Sequence, residues 1–463
     1  MKTYALVLAA GKGTRLKSDI PKCAYPILKK PLIEYIVEKF EASTKIDETV
    51  VVVGYKKEVF YELLNGRVHF VVQEEPIGTA DAVKSAKDFF KDKKGNVLIV
   101  AGDVPLMKVK LTDKIIGAHE EMGNDITVVS MELDNPKGYG RVVRNKYNMI
   151  EKIVEDKDCD EYQKHIHEVN SGIYVVNIEF LFQALEQVKP NNVKGEYYLT
   201  DIVEIMKRDY KVGSFIVRDT QQVMGVNDLY QMSIAEQILR ESINKDHMVS
   251  GVSIINPPTV TIGHNVIIEP GAKILPNTTI TGNSIIKSGA IIGPNTEIHN
   301  STIYENSEIK HSLIYDSTVH QDSVVGPFAH LRNHAVVGAQ NRIGNFVEIK
   351  NSVIGEDTKA AHLSYIGDAT VGSRVNFGCG SVTVNFDGVN KHRTVIGDDV
   401  FIGCNVNMVA PISIADNVFI AAGSTVTKDI PVGSMAIARG RQINKADYYS
   451  HLIKPKPKTK DDK

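Results

Sequence analysis

Basic residues and two glycines crowd into one stretch near the start of the chain, LAAGKGTRLKSDIPK, residues 8–22. Gly11 and Gly13 let backbone N–H groups approach an anion, Arg15 offers a bidentate fork, and Lys22 adds a point charge one short loop later. The GxxxxGK[ST] spacing of a P-loop is absent, and so is the GxGxxG dinucleotide turn. On these residues alone the stretch is either a phosphate site or a tight strand-to-helix turn with solvated cations. A second constellation lies far downstream. His362 stands in KAAHLSYIG, with Arg332, Lys350, Tyr365, Asn376 and Asn385 spaced around it.

Two different architectures must position these groups. The chain has 463 residues, enough for two or three domains, and an ordinary globular composition of 43% hydrophobic and 24% charged residues. A formal net charge of -2 argues against a general nucleic-acid or membrane binder. The one basic run, KPKPKTKDDK from Lys454, reads as a disordered solvated tail. Cys23, Cys159, Cys379 and Cys404 have neither CxxC spacing nor clustering, so reduced thiols in a cytoplasmic protein are expected. The apolar run YALVLAA is too short to span a bilayer and has no cleavage pattern after it, so neither a secretion signal nor a stable membrane anchor is expected.

From Met1 to about Val226, apolar runs such as YALVLAA, ETVVVVGY and NVLIVAGD alternate with amphipathic stretches such as PLIEYIVEKFEA. That pattern predicts a doubly wound α/β domain with a parallel sheet, and sets AAGKGTR, QEEPIGT and AGDVPL on the rim at the strand ends. Residues 227–250 read as a helical linker. Then every sixth residue becomes aliphatic, as Ile262, Ile268, Ile274, Ile280, Ile286, Ile292 and Ile298. The register slips, resumes at Val319, Val325, Leu331, Val337, Ile343 and Ile349, and resumes again at Ile396, Ile402, Met408, Ile414, Ile420 and Val426. Neither a helix nor an alternating strand produces this period, whereas a hexapeptide β-helix over 251–440 does. In a coil of about eighteen residues Arg332 lies above Lys350, a stacked cation pair fit to clamp phosphate. Residues 441–463 form the tail, and VNFDGVNKHRT breaks the register as a protruding loop.

The opening stretch resembles the L-x-A-G-x-G-T-R…P-K motif of sugar-1-phosphate nucleotidyltransferases. QEEPIGTADAV, GDVPL, GYGRVVR, IVEDKD, VNSGIY, GEYYLTDIV and GVND, then GPFAHLR, GNFVEIKNS, AAHLSYIGDA, IGDDVFIGCN and IAAGSTVTKDIP, are similar to one branch. That branch comprises the bifunctional N-acetylglucosamine-1-phosphate uridyltransferase and glucosamine-1-phosphate acetyltransferase enzymes, and the likeness runs to about Arg439.

The resemblance implies a Rossmann-like nucleotidyltransferase domain, then a left-handed parallel β-helix, assembled as a homotrimer. The implied substrates are UTP, acetyl-CoA, glucosamine-1-phosphate and N-acetylglucosamine-1-phosphate, with Mg²⁺ as cofactor. The end product, UDP-N-acetylglucosamine, would serve peptidoglycan and related envelope polymers. By resemblance Leu8, Ala10, Gly11, Gly13, Gln73, Gly78 and Thr79 hold the nucleotide, with Gln73 reading uracil, and Arg15 and Lys22 act on its phosphates. Asp103 suits Mg²⁺, which prefers a carboxylate plus substrate phosphates, and Asn227 is carried over as its second ligand. Gly140, Glu155 and Asn170 hold the sugar.

In the solenoid the resemblance makes His362 a general base toward the sugar amine, with Asn385 orienting it. Arg332, Lys350, Tyr365 and Asn376 bind glucosamine-1-phosphate, while Cys379, Cys404, Ala422 and Arg439 contact acetyl-CoA. The chain departs from the family pattern at Ala101, where an aromatic residue is usual, at Cys379 and Cys404, where alanine and serine are usual, and at Phe386, where tyrosine is usual. Two rivals remain: a nucleotidyltransferase whose solenoid only scaffolds a trimer, and a non-catalytic regulatory subunit. The second would be expected to lose Arg15, Lys22 or Asp103, all of which are present.

Overall fold

A computed structural model describes residues 1–452, so the lysine-rich run from Lys454 lies outside the described residues. The chain divides into two compact units. The first comprises Met1–Lys245 with Ile262–His264, and the second comprises the rest from Asp246 onward.

The first unit is built on a sheet whose main path runs 212–217, 126–132, 168–177, 96–101, 3–8, 48–53 and 69–72. Alternate residues of its central strands feed two cores. Tyr4, Leu6, Val97 and Ile99 face one, and Ala5, Val7, Leu98 and Val100 face the other. Every strand neighbour of Thr3–Leu8 is parallel, as the continuous apolar runs predict. The wholly parallel sheet needs correction, because Glu168–Asn177 runs antiparallel to all three of its partners and Arg141–Arg144 pairs antiparallel with Ile150–Val154. A strand buried on both faces reads the same in either direction, so the sequence carries no sign of the reversal. The helix Leu229–Val249 packs Met232 and Ala235 against Leu16, Leu32 and Tyr35, so its first turns belong to this unit's core.

The second unit is a solenoid of three parallel ladders, each strand pairing with the one three strands later except at the last coil, where Phe419–Ile420 pairs with Met435–Ala436. One aliphatic side chain per strand points to the axis, and Ile274, Ile280, Ile286, Ile292 and Ile298 are fully buried there. The slips in the period are steps of five residues, as from Ile298 to Ile303 and from Ile309 to Ile314, which stay buried and in register. Thr383 and Ile396 bracket the loop, which folds back through a bridge between Phe386 and Lys391 and an Asp387–His392 ion pair of 2.7 Å.

Candidate active sites

At the rim of the first unit the glycine-rich stretch turns sharply. Gly13 sits at φ 66°, and a Cβ there would lie 2.5 Å from Cβ of Lys22, so glycine is what lets the lysine pass beneath the turn. Leu8 ends its strand, and its carbonyl accepts from Gly102 N at 2.9 Å, which ties the turn to the Ala101–Asp103 corner. Lys22 then pairs with the Asp103 carboxylate. Lys22 Nζ and Arg15 also donate to Asn227 Oδ1, at 2.9 and 2.8 Å. Four residues spread across more than 200 positions thus converge, the two cations lying against the two oxygen ligands expected for a metal.

Hard oxygen donors of this kind fit Mg²⁺, and room remains beside them, since a Cβ on Gly225 would still stand 3.5 Å from Asp103 Oδ1. Among the described residues no group of three or more His, Cys, Asp or Glu side chains could hold a metal. A magnesium site that completes its shell with phosphates needs no such group.

Gln73 is buried, and its amide nitrogen donates to Asp81 Oδ2 at 2.8 Å and to the Gly78 carbonyl at 3.2 Å. The side chain therefore braces its own loop, with its nitrogen engaged inside it. Thr79 Oγ1 accepts from Leu199 N at 3.0 Å, joining that loop to GEYYLT. Gly78, at φ 146°, lies so close to Tyr197 that a Cβ would sit 2.3 Å from its carbonyl oxygen.

The three sugar candidates also meet. Asn170 N donates to the Gly140 carbonyl at 2.8 Å, and a Cβ on Gly140 would lie 3.6 Å from the Glu155 carboxyl. Asn170 borders a bulge in the antiparallel strand, and its Nδ2 donates to the buried Tyr174 hydroxyl at 2.6 Å. Burial raises the pKa of Glu155, with Lys194 and a 3.5 Å bond from Thr200 working against the rise.

In the solenoid Arg332 and Lys350 are register partners on successive coils, as the spacing predicts. Arg332 is held by Glu348 at 2.6 Å, and Lys350 Nζ lies 3.3 Å from Asp368 Oδ2. Lys391, in the protruding loop, approaches Lys350 closely enough to lower its own pKa. It makes a third cation that sequence spacing did not reveal, because the loop lies outside the repeat. Asn385 donates to Asp368 Oδ2 and, at 3.4 Å, to the Tyr365 hydroxyl. The structure thus places Asn385 beside Asp368 and Tyr365, and the partner of His362 is Asn345, whose Oδ1 lies 2.6 Å from Nδ1. That bond puts the proton on Nδ1 and leaves Nε2 as the lone-pair nitrogen of the neutral ring. The 17-residue spacing from Asn345 to His362, one coil, was the available signal.

The acetyl-CoA candidates form a line. Ala360, Phe377, Ile402 and Ile420 are successive register partners, so two residues further along stand His362, Cys379, Cys404 and Ala422 in one column. Arg439 closes it, donating to the Ala422 carbonyl at 3.0 Å. Asn376 is not brought to Arg332 and Lys350, since it pairs with Lys359 and Phe401 on another ladder.

The fold and the two clusters define a sugar-nucleotide-type nucleotidyl transferase joined to a hexapeptide-repeat transferase. The nucleotidyl transferase family model matches residues 4–256, a GMPPB C-terminal domain model matches 258–342, and the bacterial transferase hexapeptide model matches 393–428. The chain belongs to the family of the bifunctional protein GlmU. It is 59% identical to the Acholeplasma laidlawii protein of that name over 99% of both chains. It is 47% identical to one from Clostridium perfringens over 96% of this chain and 98% of that one.

Proposed function

We propose that the two clusters are the two active sites of a bifunctional enzyme that makes UDP-N-acetylglucosamine. The chain transfers acetyl from acetyl-CoA to glucosamine-1-phosphate, then transfers uridylyl from UTP to the acetylated sugar phosphate. In the second step a sugar phosphate oxygen attacks the α-phosphorus, and the bond to the bridging oxygen breaks to release pyrophosphate. Arg15 and Lys22 neutralise the charge that gathers on the phosphates. Asp103 and Asn227 would hold Mg²⁺, which supplies further charge neutralisation when bound. Without the triphosphate the cations and oxygens satisfy one another, and substrate would draw the cations onto phosphate and free the oxygens.

For acetyl transfer, the stacked Arg332 and Lys350, joined by Lys391, take the sugar phosphate. His362 Nε2 accepts a proton from the amine as its nitrogen bonds to the thioester carbon and the CoA thiolate leaves. The observation that carries this reading is the His362–Asn345 pair standing at the head of the Cys379, Cys404 and Ala422 column, which a mere scaffold does not require.

A homotrimer is supported by two features. Asn376 lies on a different ladder from the cation pair, so a second copy is needed to bring both to one substrate. Phe328, Phe346 and Leu363 stand as a ridge, each more than half exposed, with the two phenyl rings stacked at 5.4 Å. No helix among the described residues is long and apolar enough to cross a membrane, and a cytoplasmic location agrees with four free cysteines.

The test is a product assay with glucosamine-1-phosphate, acetyl-CoA, UTP and Mg²⁺, run on wild type and His362→Ala. Wild type is expected to form UDP-N-acetylglucosamine, and the variant to do so only from the pre-acetylated sugar phosphate. A wild-type protein that uridylylates without ever releasing CoA would leave the solenoid a scaffold.

A further inference from the structure

Cys379 and Cys404 occupy the same position on consecutive coils. Phe377 and Ile402 are register partners, and each cysteine stands two residues beyond. The backbones are drawn together at that corner. Asn405 N donates to the Cys379 carbonyl at 2.8 Å, and a Cβ on Gly378 would lie 2.5 Å from Cys404 N. Cys379 and Cys404 lie in the turns just past those strands, and the Asn405–Cys379 bond carries into the turns the coil spacing of about 4.8 Å that the ladder sets. That falls inside the window of ~4.4–6.8 Å between α-carbons that a disulfide requires. Both thiols are free, Cys404 is exposed, and Cys379 is half-buried one coil from His362. The other two cysteines are buried, and Cys23 is pushed up to about 12 by burial first and then by Asp103.

We propose that Cys379 and Cys404 form a reversible dithiol–disulfide pair that switches acetyl transfer off when oxidised. The oxidant is a low-molecular-weight disulfide. The thiolate of exposed Cys404 attacks one sulfur of that disulfide, forming a mixed disulfide and expelling one thiolate. The Cys379 thiolate then attacks Cys404 Sγ, closing the protein disulfide and expelling the second. Two protein thiols lose two protons and two electrons in all, and the reagent leaves as two thiols. Oxidation draws both sulfurs out of their reduced positions, one and two coils from His362, in the column along which the acetyl donor is placed. The switch rests on the placement of acetyl-CoA argued above. The cysteines of the uridylyl site, Cys23 and Cys159 beside Glu155, are both buried, so that site is untouched.

The experiment treats the whole protein with CoA disulfide, or with oxidised glutathione as a disulfide of unrelated shape, and follows both activities before and after dithiothreitol. Mass spectrometry of the unreduced digest should join the Cys379 and Cys404 peptides with loss of two hydrogens. Acetyl transfer should fall by about tenfold or more and return on reduction, while uridylyl transfer holds. Cys379→Ala and Cys404→Ser, each compared with its own reduced form, should form no internal disulfide. Failure to find the crosslink under excess oxidant overturns the proposal. Separately, acetyl-CoA should protect Cys404 of the reduced protein from alkylation by iodoacetamide. If the crosslink forms and acetyl transfer persists while protection is seen, the switch is refuted and the acetyl-CoA placement stands. If protection is absent as well, the placement itself fails and the switch with it.

Discussion

Asn345 Oδ1 lies 2.6 Å from His362 Nδ1, one coil away, with the two residues paired in register at the end of their strands. A solenoid gives such a contact at little cost, because a side chain and its neighbour one coil along are set by the same ladder. The amide fixes both the ring orientation and the tautomer, so with His362 as the proposed base Asn345 is its positioning residue.

Replacing Asn345 by alanine is therefore expected to lower kcat for acetyl transfer by roughly 10- to 100-fold with little change in KM and none in uridylyl transfer. Asn345→Asp distinguishes positioning from support. A carboxylate beside Nδ1 favours the imidazolium, so the acidic limb of the kcat profile should move to higher pH. An unmoved limb with lowered activity in both variants would assign Asn345 to structure alone.

The ion pair of Lys22 with Asp103, shared with Asn227, makes the uridylyl site separable from the other. Asp103→Asn should reduce uridylyl transfer by about 10²-fold or more, and chelation by EDTA should abolish it. Acetyl transfer by the same preparation should continue in both cases, as read by CoA release. Equal loss of both activities would show that Asp103 supports folding instead.

What the sequence disclosed follows from what repeats. One inward aliphatic side chain per strand made the solenoid legible over most of its length, and it set Arg332 over Lys350. Steps of five residues broke the count without breaking the core, as at Ile303 and Ile314. The partners of the site groups were harder to see. Asp368 gathers Lys350, Asn351 and Asn385 around one carboxylate, and it is an unremarkable turn residue in the sequence. The reversal of Glu168–Asn177 left no periodic mark, and the place of Asn385 depended on a loop whose path no repeat dictates.

That loop carries the next expectation. Lys391 lies against Lys350, that neighbouring cation lowers the Lys391 pKa, and two basic groups held together favour an anion beside them. Lys391→Met should raise KM for glucosamine-1-phosphate by roughly 3- to 30-fold and leave KM for acetyl-CoA unchanged. The increase should shrink at high ionic strength, where screening weakens the contribution of an exposed cation in both proteins. A KM for the sugar phosphate equal to that of wild type would remove Lys391 from the clamp.

Asp201 supplies a stability test that involves no catalysis. Burial first, then Glu204 and Asp158, raise its folded pKa from 3.8 to about 6. Below the unfolded value both states are protonated and the group is neutral to stability. Between about 4 and about 6 the unfolded chain ionises while the folded chain keeps its proton, so the group's contribution falls as pH rises, and above that window the full penalty is present. Asp201→Asn removes the charge and keeps the shape at the start of the helix Asp201–Met206. The variant should melt close to wild type near pH 4 and higher than wild type at pH 7.5, by roughly 2–4 °C in the transition of the first unit. A gain of equal size at both pH values would mean that the amide helps through a new hydrogen bond, and that ionisation of a buried carboxyl is not the cause.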